Sequence, residues 1–221
     1  MGVLSLMLIP DSFEKHARPL VRKCLFGHKD ACDIVILTPL KRIFHSIVPL
    51  DCCKSSGWWR TWRQGRVLIA LTPQGSPILD AVSALEPNAS VTFAGFSGAL
   101  CRHRVGDIVE ISSSYLHTAE SKFFRNFDGP YLFPNAISVS VSSFAGGLEQ
   151  AGHLSTFSEC IDMETAFVYG ACARQNKRAR SLQIVTDNFK RKPFYRSPEF
   201  QEITAIRKLS GAITAYIDRK L

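Results

Sequence analysis

The apolar positions of this chain follow two periods. Short apolar runs bounded by turn formers read as strands at residues 3–9 (VLSLMLI), 33–37 (DIVIL), 91–94, 105–111, 138–142 and 182–185. Residues 58–63 and 66–72 read as a hairpin turned at Gln64-Gly65. Helical periodicity covers roughly 13–24, a short stretch opened by Thr38-Pro39 that runs to Ile47, residues 78–85, and a C-terminal segment opened by Ser197-Pro198, with proline at the first turn. In that last helix Phe200, Ile203, Ile206, Leu209, Ile213 and Ile217 form one apolar stripe. Ile161-Asp162-Met163-Glu164 opens another helix, where Met163, Ala166, Phe167, Gly170 and Ala171 share a face. Val168, Tyr169 and Cys172 are apolar too, so this helix is expected to be covered nearly all round. Residues 174–180 read as a polar, basic connection, and 113–135 as a long loop containing Gly129-Pro130. Strands interleaved with helices, without repeats or a linker, indicate a single α/β domain spanning 1–221.

Composition narrows the class. The 221 residues are 46% hydrophobic and 21% charged, an ordinary globular balance with enough chain to bury a sizeable core. Apolar runs fall far short of a bilayer span, and the N-terminus lacks a basic leader, so no membrane partner and a cytoplasmic location are expected. Seven cysteines, an odd number without a C-x-x-C pair, read as reduced thiols rather than as a zinc site or a disulfide framework. No cofactor is implied. The formal charge is +8, but the basic residues are dispersed. Their densest clusters, Lys177-Arg178-Ala179-Arg180 and Lys190-Arg191-Lys192, have no interleaved aromatics for base stacking. They read as solvated surface, and no nucleic-acid partner is expected.

Two carboxylates stand out by position. Glu164 sits at a helix start and Asp187 at a strand end, and ligands of α/β proteins gather at the carboxyl ends of strands. Gly95-Phe96-Ser97-Gly98 places two glycines after a strand, where a backbone can approach a ligand closely. Taken singly, a first-turn acid is favoured by the helix dipole and an aspartate after a strand is a common turn residue.

Taken in order, Ala94-Gly95-Phe96-Ser97-Gly98-Ala99-Leu100, Val105-Gly106-Asp107-Ile108-Val109, Ser143-Phe144, Asp162-Met163-Glu164-Thr165-Ala166 and Thr186-Asp187 resemble the purine nucleoside phosphorylase/nucleosidase superfamily. The resemblance covers roughly residues 66–190 and is nearest to methylthioadenosine/S-adenosylhomocysteine nucleosidase and futalosine hydrolase. It implies one domain with a twisted mixed central sheet, partly closed into a barrel and flanked by helices, and cleavage of an N-glycosidic bond. By the same resemblance Asp187 is the general acid for N7 of the leaving purine, and Glu164 accepts hydrogen bonds from the ribose hydroxyls. Met163 packs on the sugar, Phe144 stacks on the base, and Gly95, Phe96, Ser97 and Thr186 form the surrounding wall. These residue types suit an oxocarbenium-like transition state, which needs a proton for the leaving base and negative charge near the sugar.

Two departures shape the expected reaction. Phosphorylases of the superfamily carry an arginine just before the glycine loop, where this chain has Thr92-Phe93-Ala94, so water is the expected nucleophile. The nucleosidases use a glutamate after the first strand to activate that water. Glu14 follows the strand expected at 3–9, whereas the second strand-helix unit, 33–47, presents Lys41 and Arg42 instead. The basic, aromatic run Asn188-Phe189-Lys190-Arg191-Lys192 suits a 5′ substituent bearing a carboxylate. Futalosine or aminodeoxyfutalosine, of menaquinone biosynthesis, is therefore the first expected substrate. Methylthioadenosine or S-adenosylhomocysteine is the alternative, and a non-catalytic nucleoside binder a third. The resemblance also implies a homodimer.

Overall fold

The computed structural model describes residues 11–49, 57–119, 121–189 and 200–220. Helix α1 spans Asp11–Phe26, β1 Ile34–Thr38, α2 Lys41–Ile47, β2 Arg60–Gln64, β3 Val67–Leu71, α3 Ile78–Ala84 and β4 Ser90–Ala99. There follow β5 Ile108–Leu116, β6 Ser121–Phe124, β7 Asn135–Ser140, α4 Phe144–Glu149, α5 Ala151–Leu154, β8 Cys160–Asp162, α6 Thr165–Arg174, β9 Arg178–Asn188 and α7 Phe200–Asp218. The strand expected at 3–9, the adjacent Cys52-Cys53, the basic 190–192 and the Ser197-Pro198 helix start lie outside the described residues.

The strands form one mixed sheet in the order β2-β3-β1-β4-β8-β7-β5-β6, and β9 bridges β4 and β5. That bridge closes β4, β8, β7, β5 and β9 into a ring, the partly closed barrel expected. Strands β3, β1, β4 and β9 run parallel, so their carboxyl ends share one edge of the sheet. The largest apolar cluster lies under α1, α3 and α6, and a second joins the other face to α2 and α7. Helix α6 is buried on nearly every side, as its all-round apolar pattern requires. Fully buried Tyr169 on α6 donates its hydroxyl to Ile111 O of β5 at 2.5 Å and accepts from Ser181 N of β9 at 3.0 Å. This one side chain ties the helix to two barrel strands.

Three expectations are corrected. First, Gly95 to Gly98 do not form a loop but continue β4 as a strand ten residues long. The glycines are needed for packing: a β-carbon on Gly95 would come within 2.8 Å of the Phe93 ring and 2.9 Å of Gln183 Oε1. Second, the long loop at 113–135 is largely ordered structure, because β5 runs on to Leu116 and β6 pairs back against it. The serines there look polar in sequence, yet Ser113 and Ser114 are buried, and Ser114 bonds to Ser138 and Ser140 of β7. Third, the basic connection at 174–180 ends inside β9, which spans eleven residues rather than the four expected at 182–185. The C-terminal stripe is buried only from Ile206 onward, since Phe200 is 77% and Ile203 44% exposed.

Candidate active site

A cavity of about 260 Å³ opens at the carboxyl ends of the parallel strands. Pro39 and Leu40 reach it from the end of β1, Phe96 from β4, and Thr186 and Asp187 from β9. Met163 and Glu164 enter from the turn between β8 and α6, and Gln74 from the loop between β3 and α3. The two carboxylates singled out by sequence position therefore share one space, with the apolar Met163 and Phe96 beside them. Four larger clefts, of about 480 to 660 Å³, lie elsewhere, and none brings two carboxylates together at the carboxyl ends of the strands.

Glu164 is only 6% exposed. Its Oε1 accepts the backbone N–H of Gly75 at 2.8 Å, a bond that pins the β3–α3 loop over the cavity. Burial, with the nearby Asp162 as the second cause, pushes its pKa up to about 7. Asp162 itself is buried to 1% exposure. Its Oδ1 accepts from Glu164 N at 3.1 Å, from Thr165 N at 3.2 Å and from the Ser140 hydroxyl. These bonds serve the open N–H groups at the start of α6, where Glu164 makes no side-chain cap. Asp162 thus supports the backbone that presents Glu164. Burial raises its pKa as well, and its Oδ2 finds no hydrogen-bond partner among the described residues.

Asp187 is placed by its strand. The register of β4 and β9 shifts between Ser97 and Gly98, pairing Gly98 with Asp187. This irregularity turns consecutive residues of β9, Thr186 and Asp187, into the same cavity, where strict alternation would separate them. Thr186 Oγ1 donates to Asp187 Oδ1 at 3.1 Å and helps to fix the carboxyl orientation.

Of the remaining expected site residues, Gly95 and the buried Ser97 lie on β4 but do not line this cavity. Phe144 is the first residue of α4, and its side chain lies outside the described positions. Glu14 belongs to α1, and its side chain is likewise outside them. The strand that opens on the cavity is β1, followed by Pro39, Leu40, Lys41 and Arg42. Sequence reasoning missed Pro39, Leu40 and Gln74. The run Pro73-Gln74-Gly75-Ser76-Pro77 marks a turn in the sequence, but nothing local to it shows that the turn meets Glu164.

No protein-family model matches the chain, and no curated protein matches it in sequence. Solved structures match it in shape. The Campylobacter jejuni 5′-methylthioadenosine/S-adenosylhomocysteine nucleosidase superposes with a TM-score of 0.69 at 11% identity, over 86% of this chain and 100% of that one. A Helicobacter pylori futalosine hydrolase mutant gives 0.65 at 13% identity, over 86% and 100%. A Helicobacter pylori nucleosidase mutant with 5′-methylthioadenosine in its active site gives 0.66 at 14% identity, over 86% and 100%. Matched over 86% of its length at TM-scores of 0.65 to 0.69, the chain has the fold of these nucleosidases.

Proposed function

We propose that this protein hydrolyses the N-glycosidic bond of a purine nucleoside. The observation that carries the reading is the meeting of Glu164 and Asp187 in one cavity at the strand ends, flanked by Met163 and Phe96. In the proposed reaction the bond between the anomeric carbon and the purine nitrogen breaks, and its electron pair leaves with the base. The Asp187 carboxyl delivers a proton to N7 of that base, and water adds to the anomeric carbon and gives up a proton. Glu164, held in a low-dielectric pocket, accepts the ribose hydroxyls and stabilises the cationic sugar as charge develops. Glu14, on α1, is the residue proposed to activate water on the sequence resemblance alone, since the strand that opens on the cavity, β1, is followed by Lys41 and Arg42. The Glu14→Ala variant tests that assignment: lost hydrolysis with retained nucleoside binding supports it, and unchanged turnover removes it.

Futalosine or aminodeoxyfutalosine is the first substrate proposed, on the basic, aromatic run Asn188-Phe189-Lys190-Arg191-Lys192 beside Asp187. A homodimer and a cytoplasmic location accompany this reading. One observation favours the second substrate class, a methylthio nucleoside. Among the described residues no Lys, Arg or His lines the cavity, and Pro39, Leu40, Phe96 and Met163 make half of its wall apolar. Incubation with futalosine, methylthioadenosine, S-adenosylhomocysteine and inosine, with and without phosphate, separates the readings. Release of base from futalosine supports the first, release from the thio-nucleosides the second, and binding without release a non-catalytic nucleoside binder.

A further inference from the structure

At the opposite edge of the sheet a cleft of about 660 Å³ lies against the first residues of three parallel strands, Ile34 of β1, Ser90 of β4 and Arg178 of β9. Its wall carries Arg180, Arg219 and Lys220 together with the rings of Phe127 and Tyr216. Along β9 it is about 23 Å from Asp187, seven residues at about 3.3 Å each.

Arg180 is only 4% exposed. Its guanidinium lies 3.7 Å from the centre of the Phe127 ring and 5.4 Å from that of Tyr216, so it is held between aromatic faces. The nearest carboxylate is Glu110, with Oε1 at 3.9 Å from Arg180 Nε. That oxygen already accepts Arg125 Nε at 2.5 Å, and Oε2 accepts Leu132 N at 2.7 Å. Arg180 Nε is buried without a hydrogen-bond partner. One buried carboxylate therefore faces two guanidinium groups, which leaves a positive charge unbalanced, and burial pulls the Arg180 pKa down. The other acids on the cleft wall do not offset it. Asp33 is engaged by Arg66, and Asp128 by Arg178 at 3.0 Å. Among the described residues Arg219 and Lys220 have no ion-pair partner.

A buried, aromatically braced arginine with two further cations at the mouth is the donor set that phosphate oxygens satisfy. The volume lies within the range of small-molecule sites, about 300–1,000 Å³. We propose that this cleft is a second binding site, specific for a small phosphate-bearing anion and separate from the nucleoside cavity. Inorganic polyphosphate and a nucleoside phosphate share that chemistry, and the rings beside Arg180 offer stacking only to the second.

Calorimetric titration of the full chain with inorganic tripolyphosphate and with adenosine triphosphate tests the site. One ligand per chain is expected in at least one titration. The double variant Arg219→Glu/Lys220→Glu, exposed and apart from the nucleoside cavity, should weaken binding by about tenfold or more through lost charge-assisted bonds, with folding and nucleosidase activity intact. Arg180→Gln should abolish binding, and Asp187→Asn should leave it unchanged. Equal affinity for the two ligands means that phosphate alone is recognised, and tighter nucleotide binding adds the base. Absence of binding, binding indifferent to the double variant, several ligands per chain, or loss of binding in Asp187→Asn would each overturn the proposal. The double variant keeps the test decisive if Arg180→Gln does not fold.

Discussion

The carboxyl group of Asp187 fills the space beside Gly98 that any other residue's side chain would enter. A β-carbon built on Gly98 would stand 2.7 Å from Asp187 Oδ2 and 3.1 Å from Ile161 Cγ2. The glycine therefore sets the position of the proposed acid. Gly98→Ala should push that carboxyl aside, and a displacement near 1 Å can cost about 10²-fold in rate. Overpacking should also cost about 1–3 kcal/mol of stability. Steady-state kinetics with thermal melts measures both, and a variant with full turnover would show that Asp187 need not sit where it does.

Asp187→Asn is nearly isosteric and keeps an acceptor for the Thr186 hydroxyl, which bonds Asp187 Oδ1 at 3.1 Å. It removes the proton donor. A rate loss of about 10²–10⁴-fold with little change in melting temperature is expected. Near-normal turnover on the same nucleoside would exclude Asp187 as the acid.

Glu164 carries a stability consequence with a definite sign. Its pKa is raised to about 7 in the folded protein, against about 4.3 in an unfolded chain. The folded state thus favours the neutral form, and stability contributed by this group is full below the unfolded pKa and falls as pH rises towards 7. A shift of that size corresponds to roughly 4 kcal/mol at most. Glu164→Gln removes the charge, so it should raise the melting temperature at pH 8 by several degrees and have a smaller effect at pH 4. The same variant should lower kcat, because the carboxylate matters most as the sugar becomes cationic. An unchanged melting difference between the two pH values would show that the Glu164 carboxyl is not held in its buried, neutral-favouring state.

Tyr169→Phe tests the barrel rather than the chemistry. It takes a partner from both Ile111 O and Ser181 N in a fully buried position. The expected cost is about 1–3 kcal/mol. For a chain of this size that is roughly 2–4 °C of melting temperature per kcal/mol. Equal melting temperatures for variant and parent would mean that this bridge contributes nothing.

Much of this molecule was legible where the signal is local. Parallel strand β1 reads from its continuous apolar run, and α6 from apolar residues on all sides. Glu164 and Asp187 were legible from their order along the chain and their places at element ends. What escaped depends on partners distant in sequence. The start of β9 looked like a charged connection because Arg180 is buried against Phe127, Tyr216 and Glu110, which lie far away in the chain. The extension of β5 looked like loop because Ser114 is satisfied by Ser138 and Ser140 on another strand. Gln74 reaches the cavity through the bond between Gly75 N and Glu164, a contact with no local trace. Gly95 to Gly98 carry a turn-like composition, yet they continue β4, where the lack of side chains leaves room for Gln183 and Asp187 of β9.

The cavity holding Glu164 and Asp187 is proposed to cleave a nucleoside with water. The most direct measurement is base release from the nucleoside panel by the parent protein and by Asp187→Asn, in buffer with and without phosphate. Free purine and free sugar are expected from one of the nucleosides, at a rate indifferent to phosphate and lost in the variant. A strict phosphate requirement with a sugar 1-phosphate as product, or equal release by both proteins, would contradict it.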